Sequence, residues 1–198
     1  MNRPPIKIGI AGTHSTGKST FLTSLAEVLE ARGLKIGRID DLARRAQALG
    51  FPILTEHTFE STLWIMAECM RQEAEASLTC DVILVDRPVL DALGYLEAAL
   101  EVTGRNVDPR RLDQLRTIAR AHSADYDQLV VTTLDHTVPL GEGRDQDLRF
   151  RDAAARHIEA LTSDLAPTAL QMTSTNADET LAAASQFVFS RLAMTNTV

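Results

Sequence analysis

Apolar runs short enough to be buried strands alternate along the whole chain with longer segments of helical period. The clearest runs are IKIGIA at residues 6–11, DVILVD at 81–86 and QLVVTT at 128–133, and weaker ones are LKIGRID at 34–40 and TALQM at 168–172. In DVILVD, four apolar residues stand between Asp81 and Asp86, a pattern typical of a strand that is covered on both faces. We therefore expect this run to be the central strand of a sheet.

Segments of helical period separate these runs. They cover 18–32, 41–49, 58–79, a stretch behind Pro88, another behind Pro109, 148–165 and the chain from 175 onward. In 58–79 the predicted apolar face consists of Phe59, Leu63, Met66 and Met70. Alternating strands and helices predict an α/β fold of three layers, with a five-stranded parallel sheet and helices on both of its faces.

We predict a single domain over residues 1–198, with a mobile lid at about 136–151. The proposed lid carries glycines, a proline and many charges without any period. The net charge of −7 offers no basic field for a nucleic-acid backbone, and no window of the chain approaches 18 apolar residues. Cys69 and Cys80 suggest neither a disulfide framework nor a zinc site. We therefore expect a cytoplasmic protein with a small-molecule partner and neither nucleic acid nor membrane; the sequence leaves open a homodimer.

The segment GTHSTGKST, residues 12–20, carries the most specific chemistry. It fits the pattern G-x-x-x-x-G-K-[ST] and lies between the first predicted strand and the first predicted helix, where a phosphate-binding loop (P-loop) belongs. Inward-facing backbone N–H groups and the helix N-terminus would cradle the phosphates of ATP, Lys18 would reach the β and γ phosphates, and Ser19 would ligate Mg²⁺. The predicted nucleotide-binding residues are Gly12, Thr13, His14, Ser15, Thr16, Gly17, Lys18, Ser19 and Thr20.

Asp86 and Arg87 follow the DVILVD run at the same predicted edge of the sheet. A carboxylate there can hold Mg²⁺ or take a proton from a hydroxyl nucleophile, and the neighbouring guanidinium can bind a phosphate. The pair suits transfer to an acceptor alcohol rather than to water. The alternative for Asp86 is a cap of the helix that follows.

Two further groups are candidates for the acceptor side and the lid. Asp41 and Arg44 follow the second predicted strand and could hold a polar acceptor, although an i,i+3 surface pair is the alternative. Arg144, Arg149 and Arg151 lie in and just after the predicted lid. Arginines on a closing lid would neutralise the transferring phosphoryl group, and a solvated basic turn is the alternative.

With these motifs in view, the chain resembles the small AAA-type P-loop family that includes the nicotinamide riboside kinase domain of bacterial NAD regulators. It is similar, more distantly, to deoxynucleoside and nucleoside monophosphate kinases. The likeness rests on GTHSTGKST, DDLARR, DRPVLDALGYL and GEGRDQDLRFRDAAARHIEAL. It implies a nucleoside monophosphate kinase-like fold, with Asp86 as catalytic base or Mg²⁺ partner and Arg87 as a substrate or phosphate ligand.

The same resemblance aligns Asp41 and Arg44 with an E-x-A-R turn and Arg144 with the arginine of a D-G-x-R lid. The chain departs from the family at Pro88, where relatives carry a hydroxyl residue, and at GEGR, which lacks the aspartate.

Two functions are compatible with the sequence. The first is an ATP- and Mg²⁺-dependent kinase in which Lys18, Asp86, Arg87 and Arg144 are catalytic, Asp41, Arg44 and Arg87 bind the substrate, and Ser19 and Asp86 hold the metal. The alternative is an ATP-binding regulatory protein or weak ATPase that acts on a protein partner. A GTPase is disfavoured, because DALG at 91–94 falls inside a predicted helix and TTLD at 132–135 lacks the Asn-Lys pair that reads guanine.

Overall fold

The computed structural model describes residues 3–40, 42–137 and 147–195. Within these residues the strands are β1 Ile6–Ala11, β2 Ile36–Ile39, β3 Val82–Asp86, β4 Gln128–Thr132 and β5 Leu170–Met172. The α-helices are α1 Lys18–Glu30, α2 Leu42–Ala48, α3 Phe59–Ala76, α4 Val89–Thr103, α5 Pro109–Ser123, α6 Leu148–Leu165 and α7 Ala177–Thr195, and a 3-10 helix covers Leu54–Glu56. Every predicted strand and helix is present, mostly with shorter ends.

The strands form a five-stranded sheet in the order β2-β3-β1-β4-β5, and every neighbouring pair is parallel. The predicted fold class is therefore confirmed. The prediction that DVILVD is the central strand is wrong, because β1 holds the middle position and β3 lies next to it. Both strands are interior and buried on both faces, so their apolar runs look alike, and only the order of pairing separates them.

Helices cover both faces of the sheet, as predicted. On one face α1 and α7 pack against inward side chains such as Ile8, Leu84 and Val130. On the other face α3, α4, α5 and α6 pack against side chains such as Val85 and Val131. Successive residues of a strand thus enter different cores, which is why the strands read as unbroken apolar runs. In the part of the chain that the structure describes, no helix combines the length and apolarity needed to span a membrane.

Several helix starts are fixed by side-chain caps. Thr58 caps α3 in a reciprocal capping box with Ser61, Asp108 accepts the N–H of Arg110 at α5, and Asp147 accepts the N–H of Phe150 at α6. The first residues of α6, Leu148 to Arg151, belong to the predicted lid at 136–151. Residues 138–146 of that lid lie outside the described residues.

The buried face of α3 differs from the predicted one. Phe59 and Met66 are buried, but Leu63 and Met70 are only half-buried, and polar residues take their place inside. The most important of these is Glu73, whose side chain is 1% exposed. A search for apolar periodicity misses this face, because it treats a glutamate as a surface residue.

Glu73 is buried within a network that joins α3 to α5 and to the start of β1. Its carboxylate accepts hydrogen bonds from Lys7 Nζ at 3.1 Å and from the Tyr126 hydroxyl at 2.5 Å, and it lies 2.8 Å from His122 Nε2. Burial opposes its ionisation, but the hydrogen bonds from His122 and Tyr126 and the charge of Lys7 outweigh it and lower the pKa of Glu73 to about 2. A buried carboxylate therefore links two helices and the central strand.

We predict that Glu73→Gln lowers the free energy of unfolding at neutral pH by about 3 kcal/mol, because it leaves the Lys7 ammonium half-buried without its counter-charge. The folded-state pKa of Glu73 lies below the ordinary 4.5, so its contribution is complete above pH 4.5 and is lost as the pH falls toward 2. Chemical denaturation across this range should show the gap between wild type and variant closing with acid. Glu75→Gln is the matched control, because Glu75 on the same helix is exposed. An equal loss in both variants would contradict the role given to the network.

Candidate functional site

The P-loop connects the end of the central strand to α1. Gly12 follows Ala11 of β1 with φ 132°, Ser15 has φ 56°, and Gly17 precedes Lys18, the first residue of α1, with φ 84°. These left-handed conformations turn the backbone N–H groups of the loop inward, which is the arrangement that binds phosphates. Gly12 is also sterically required, because a Cβ atom there would overlap the hydroxyl of Thr132.

Thr132, at the end of β4, stabilises this loop through hydrogen bonds. The Thr132 hydroxyl donates to the carbonyl oxygen of Ala11 at 3.2 Å and lies 2.7 Å from the Thr16 hydroxyl. The Lys18 ammonium donates to the Thr13 carbonyl and, at 3.3 Å, to the Thr16 hydroxyl. Lys18 is buried, with 5% of its surface exposed, so its charge is held inside the loop. Ser19 and Thr20 in the first turn of α1 are exposed.

Asp86 ends β3 beside the P-loop, as the sequence predicts for strands that share an edge. The Ser19 hydroxyl donates to Asp86 Oδ2 at 3.4 Å. The other carboxylate oxygen, Oδ1, is buried and has no hydrogen-bond partner among the described residues. Mg²⁺ prefers oxygen ligands and is commonly held by one or two carboxylates together with water and substrate phosphates. The hydroxyl and the unpartnered carboxylate oxygen fit such an ion.

At Arg87 the chain turns away from the strand, and Arg87 itself has a left-handed backbone conformation. Its φ is 68°, and its N–H donates to the Ile10 carbonyl at 3.1 Å, which ties the turn back to β1. A non-glycine residue held in this region costs roughly 1 kcal/mol or more, and such strain concentrates at functional sites. The guanidinium lies 4.9 Å from the centroid of the Tyr95 ring on α4. Burial disfavours its charge, but Tyr95, Asp86 and Asp91 outweigh burial and raise the pKa of Arg87, so it stays a cation.

Two buried titratable groups surround this pair. Asp91, in the first turn of α4, is 1% exposed and accepts the N–H of Gly12 with both carboxylate oxygens, at 3.1 and 3.3 Å. His57 is 3% exposed, and its ring centroid lies 5.9 Å from that of Tyr95. Burial lowers the pKa of His57 to about 4, so its imidazole is neutral at physiological pH. Asp91, Tyr95 and His57 thus extend the site from the P-loop toward the 3-10 helix.

One of the predicted lid arginines reaches the P-loop. Arg151 on α6 is 2% exposed, and its Nη2 donates to the Ser15 carbonyl at 3.4 Å. Arg149, two residues earlier, is exposed. Arg44 is exposed on α2. Asp41 and Arg144 lie outside the described residues, so their roles stay predictions.

Four residues around the site escaped the sequence analysis: Asp91, Tyr95, His57 and Thr132. Asp91 and Tyr95 are part of DRPVLDALGYL, where they served only as matches to a pattern. The signal that could have singled out Asp91 is a carboxylate within an otherwise apolar helix, VLDALGYL. His57 and Thr132 carry no local signal, because their neighbours come from distant parts of the chain.

Comparison with known proteins gives a consistent fold. A family model described as an AAA domain matches residues 7–187. No curated protein matches the chain by sequence. The solved structure of NadR protein in complex with NR is similar, with a TM-score of 0.65 and 13% identity, over 93% of this chain and 51% of the NadR chain. The present chain therefore spans about half the length of NadR.

Two further solved structures match over nearly their whole length. Thymidylate kinase from Candida albicans has a TM-score of 0.62 and 17% identity, with 96% of this chain and 94% of that chain covered. Deoxyadenosine kinase from M. mycoides with bound dATP has a TM-score of 0.56 and 14% identity, over 94% and 99% of the two chains. Similarity at this level of identity establishes a shared fold.

We predict that Gly12→Ala destabilises the protein by about 3 kcal/mol and weakens nucleotide binding, because the added methyl group meets Thr132 in a strained backbone conformation. Gly33→Ala is the matched control. Gly33 also has a positive φ, 78°, but open space around it, so we expect a loss of only about 1 kcal/mol and unchanged nucleotide binding. Thermal unfolding and titration with a fluorescent nucleotide measure both effects. Addition of Thr132→Ala to the Gly12 variant should recover part of the loss; equal behaviour of the two glycine variants would refute the steric argument.

Proposed function

Because the chain belongs to the AAA-domain family whose model matches residues 7–187, we propose that it is an ATP- and Mg²⁺-dependent kinase. It transfers the γ-phosphoryl group to a hydroxyl of a small nucleoside-like metabolite. The observation that carries this proposal is the pair at the end of β3. Asp86 faces Ser19 of the P-loop, and Arg87 turns from the same strand end onto Tyr95. The carboxylate can accept the proton of a hydroxyl and the adjacent half-buried cation can bind a phosphate, a pair that suits transfer to an acceptor alcohol.

The names of the structural neighbours support an acceptor of this class. Two of them are a thymidylate kinase and a deoxyadenosine kinase, and the third was solved with NR bound. All three share the sheet and helix arrangement that positions Asp86 and Arg87 here. We infer a nucleoside or nucleotide acceptor on this basis and leave its base open.

The donor half of the reaction is assigned to the P-loop. The loop's backbone N–H groups bind the phosphates of ATP, and Lys18 exchanges its bonds to Thr13 and Thr16 for bonds to the β and γ phosphates. Ser19 and the phosphates would ligate Mg²⁺, Asp86 would hold it through water, and the bound ion would neutralise charge at the transferring group. Little covalent chemistry is required of the protein, because positioning and electrostatic stabilisation dominate phosphoryl transfer.

The acceptor half is assigned to the groups around Asp86. The acceptor oxygen forms a bond to the γ phosphorus, the bond from that phosphorus to the leaving ADP oxygen breaks, and the hydroxyl proton passes to Asp86. Arg87 binds the acceptor or the transferring phosphoryl group, and Arg151 adds positive charge next to Ser15. Asp41, Arg44, Arg144 and Arg149 are proposed as further contacts on the acceptor and lid sides.

We expect ATP consumption to rise when the correct acceptor is supplied. The screen should cover nucleosides, nucleoside monophosphates, nicotinamide riboside, and sugar or aminoglycoside alcohols, with the phosphorylated product identified by mass. Lys18→Ala should abolish turnover and serves as the inactive control. Stimulation by none of these acceptors, with ATP binding intact, would contradict the kinase and favour an ATP-binding regulator or weak ATPase.

We also predict that Asp86→Asn lowers the transfer rate by about 100-fold or more while leaving ATP affinity within a few-fold of wild type, because the amide cannot accept the proton. Asp81→Asn is the matched control, since Asp81 directly precedes the same strand at the opposite end. Single-turnover transfer and equilibrium ATP titration separate the two quantities. A transfer rate of Asp86→Asn within a few-fold of wild type would show that another group takes the proton.

A further inference from the structure

Asp91 bonds α4 directly to the P-loop. It lies 79 positions from Gly12 in sequence, yet its carboxylate accepts the Gly12 N–H with both oxygens. The side chain is not needed to start its own helix, because the Asp91 N–H already bonds to the Pro88 carbonyl. The carboxylate therefore serves a contact between two distant segments.

We propose that Asp91 is a positioning residue that fixes the first glycine of the P-loop against α4, the helix whose Tyr95 ring faces the guanidinium of Arg87, so that the donor and acceptor halves of the site are aligned. The part of this inference that concerns the acceptor rests on the proposed kinase function. The part that concerns the bond to Gly12 is about nucleotide binding alone.

The first argument is the energetic cost of the arrangement. A carboxylate that is 1% exposed loses its hydration, and replacing such a group by an apolar side chain of similar volume is often neutral or stabilising. The neighbours on α4 offer that solution, since Leu90 and Leu93 are fully buried. The Gly12 N–H needs an acceptor here, but the neutral oxygen of an asparagine would serve, so stability by itself gives no reason for a negative charge at this position, whereas alignment of the two halves does.

The second argument is the set of charges that act on the carboxylate. Burial raises the pKa of Asp91 to about 7, opposed by the charges of Arg87 and Lys18 and by the Gly12 N–H, while Asp86 adds to the increase. Arg87 belongs to the proposed acceptor half and Lys18 to the donor half. One carboxylate therefore interacts with the main cation of each half.

The third argument is the geometry of Gly12. Its N–H is bonded to Asp91, and its α-carbon is packed against Thr132, so α4 and β4 hold this residue from two sides. In the proposed function, the N–H groups that follow Gly12 in the loop bind the phosphates. Loss of the Asp91 bond would free the start of the loop and leave a buried N–H without its acceptor.

The test separates the hydrogen bond from the charge. Above its pKa of about 7 the Asp91 carboxyl is ionised, so the measurements are made there. Asp91→Asn keeps an oxygen that can accept the Gly12 N–H but removes the negative charge, and Asp91→Ala removes both. We expect fluorescent-nucleotide affinity, measured without acceptor, to stay within about three-fold of wild type in Asp91→Asn and to fall about ten-fold in Asp91→Ala. Glu101→Gln, an exposed carboxylate on the same helix, is the control that should change nothing.

The effect on the acceptor half of the site is measured by steady-state kinetics with the acceptor found in the screen. Asp91→Asn should raise the acceptor KM about ten-fold while the KM for ATP stays near wild type, because a negative charge that acts on Arg87 is removed. A residue that only supported the fold would lower the active fraction and leave both KM values unchanged. Equal nucleotide affinity in wild type, Asp91→Asn and Asp91→Ala would overturn the proposal. This binding result holds whether or not any acceptor is phosphorylated, so failure of the kinase assignment is distinguishable from failure of the role of Asp91.

Discussion

The geometry of the site depends on the absence of a side chain at Gly12. Gly12 directly follows the central strand. Its α-carbon packs against Thr132 of β4, and its N–H donates to the carboxylate of Asp91 on α4. A side chain would separate these elements, and the loop behind Gly12 would then start from a different point. The parallel order of β3, β1 and β4 is what brings the ends of three strands close enough for this contact.

The rest of the site is formed by two segments near Gly12, the P-loop and the end of β3. Along the loop, left-handed residues turn the N–H groups inward and lead to Lys18 at the start of α1. Along the neighbouring strand, Asp86 faces the loop and Arg87 leaves through a strained turn that bonds back to Ile10 of β1. The same backbone hydrogen bonds that pair the strands thus set the spacing between the nucleotide loop and the carboxylate next to it.

The sequence predicted the parts that follow from local physics. Apolar runs and a glycine-rich loop between strand and helix carry their structure within a few residues, and the parallel sheet and the P-loop followed from them. His57 and Thr132 depend instead on neighbours more than 35 positions away, so no local period or spacing marks them. Asp91 stands out only as a carboxylate within an apolar helix, and its bond to Gly12 comes from 79 positions away. The polar face of α3 escaped for a related reason: Glu73 is tolerable inside only because Lys7, His122 and Tyr126 arrive from other elements. The middle position of β1 likewise follows from pairing, which composition does not encode.

The sheet ends in its two shortest strands, β2 with four residues and β5 with three. An outer strand offers unpaired backbone groups to any other chain that can align with it, and a long, flat one is a template for fibre growth. A strand of three or four residues offers too few backbone N–H and C=O groups to hold another strand in a stable register. The long apolar runs of β1 and β3 lie in the interior of the sheet. The strand order that assembles the site thereby also leaves only short strands at the edges of the sheet, a feature that disfavours pairing with another chain.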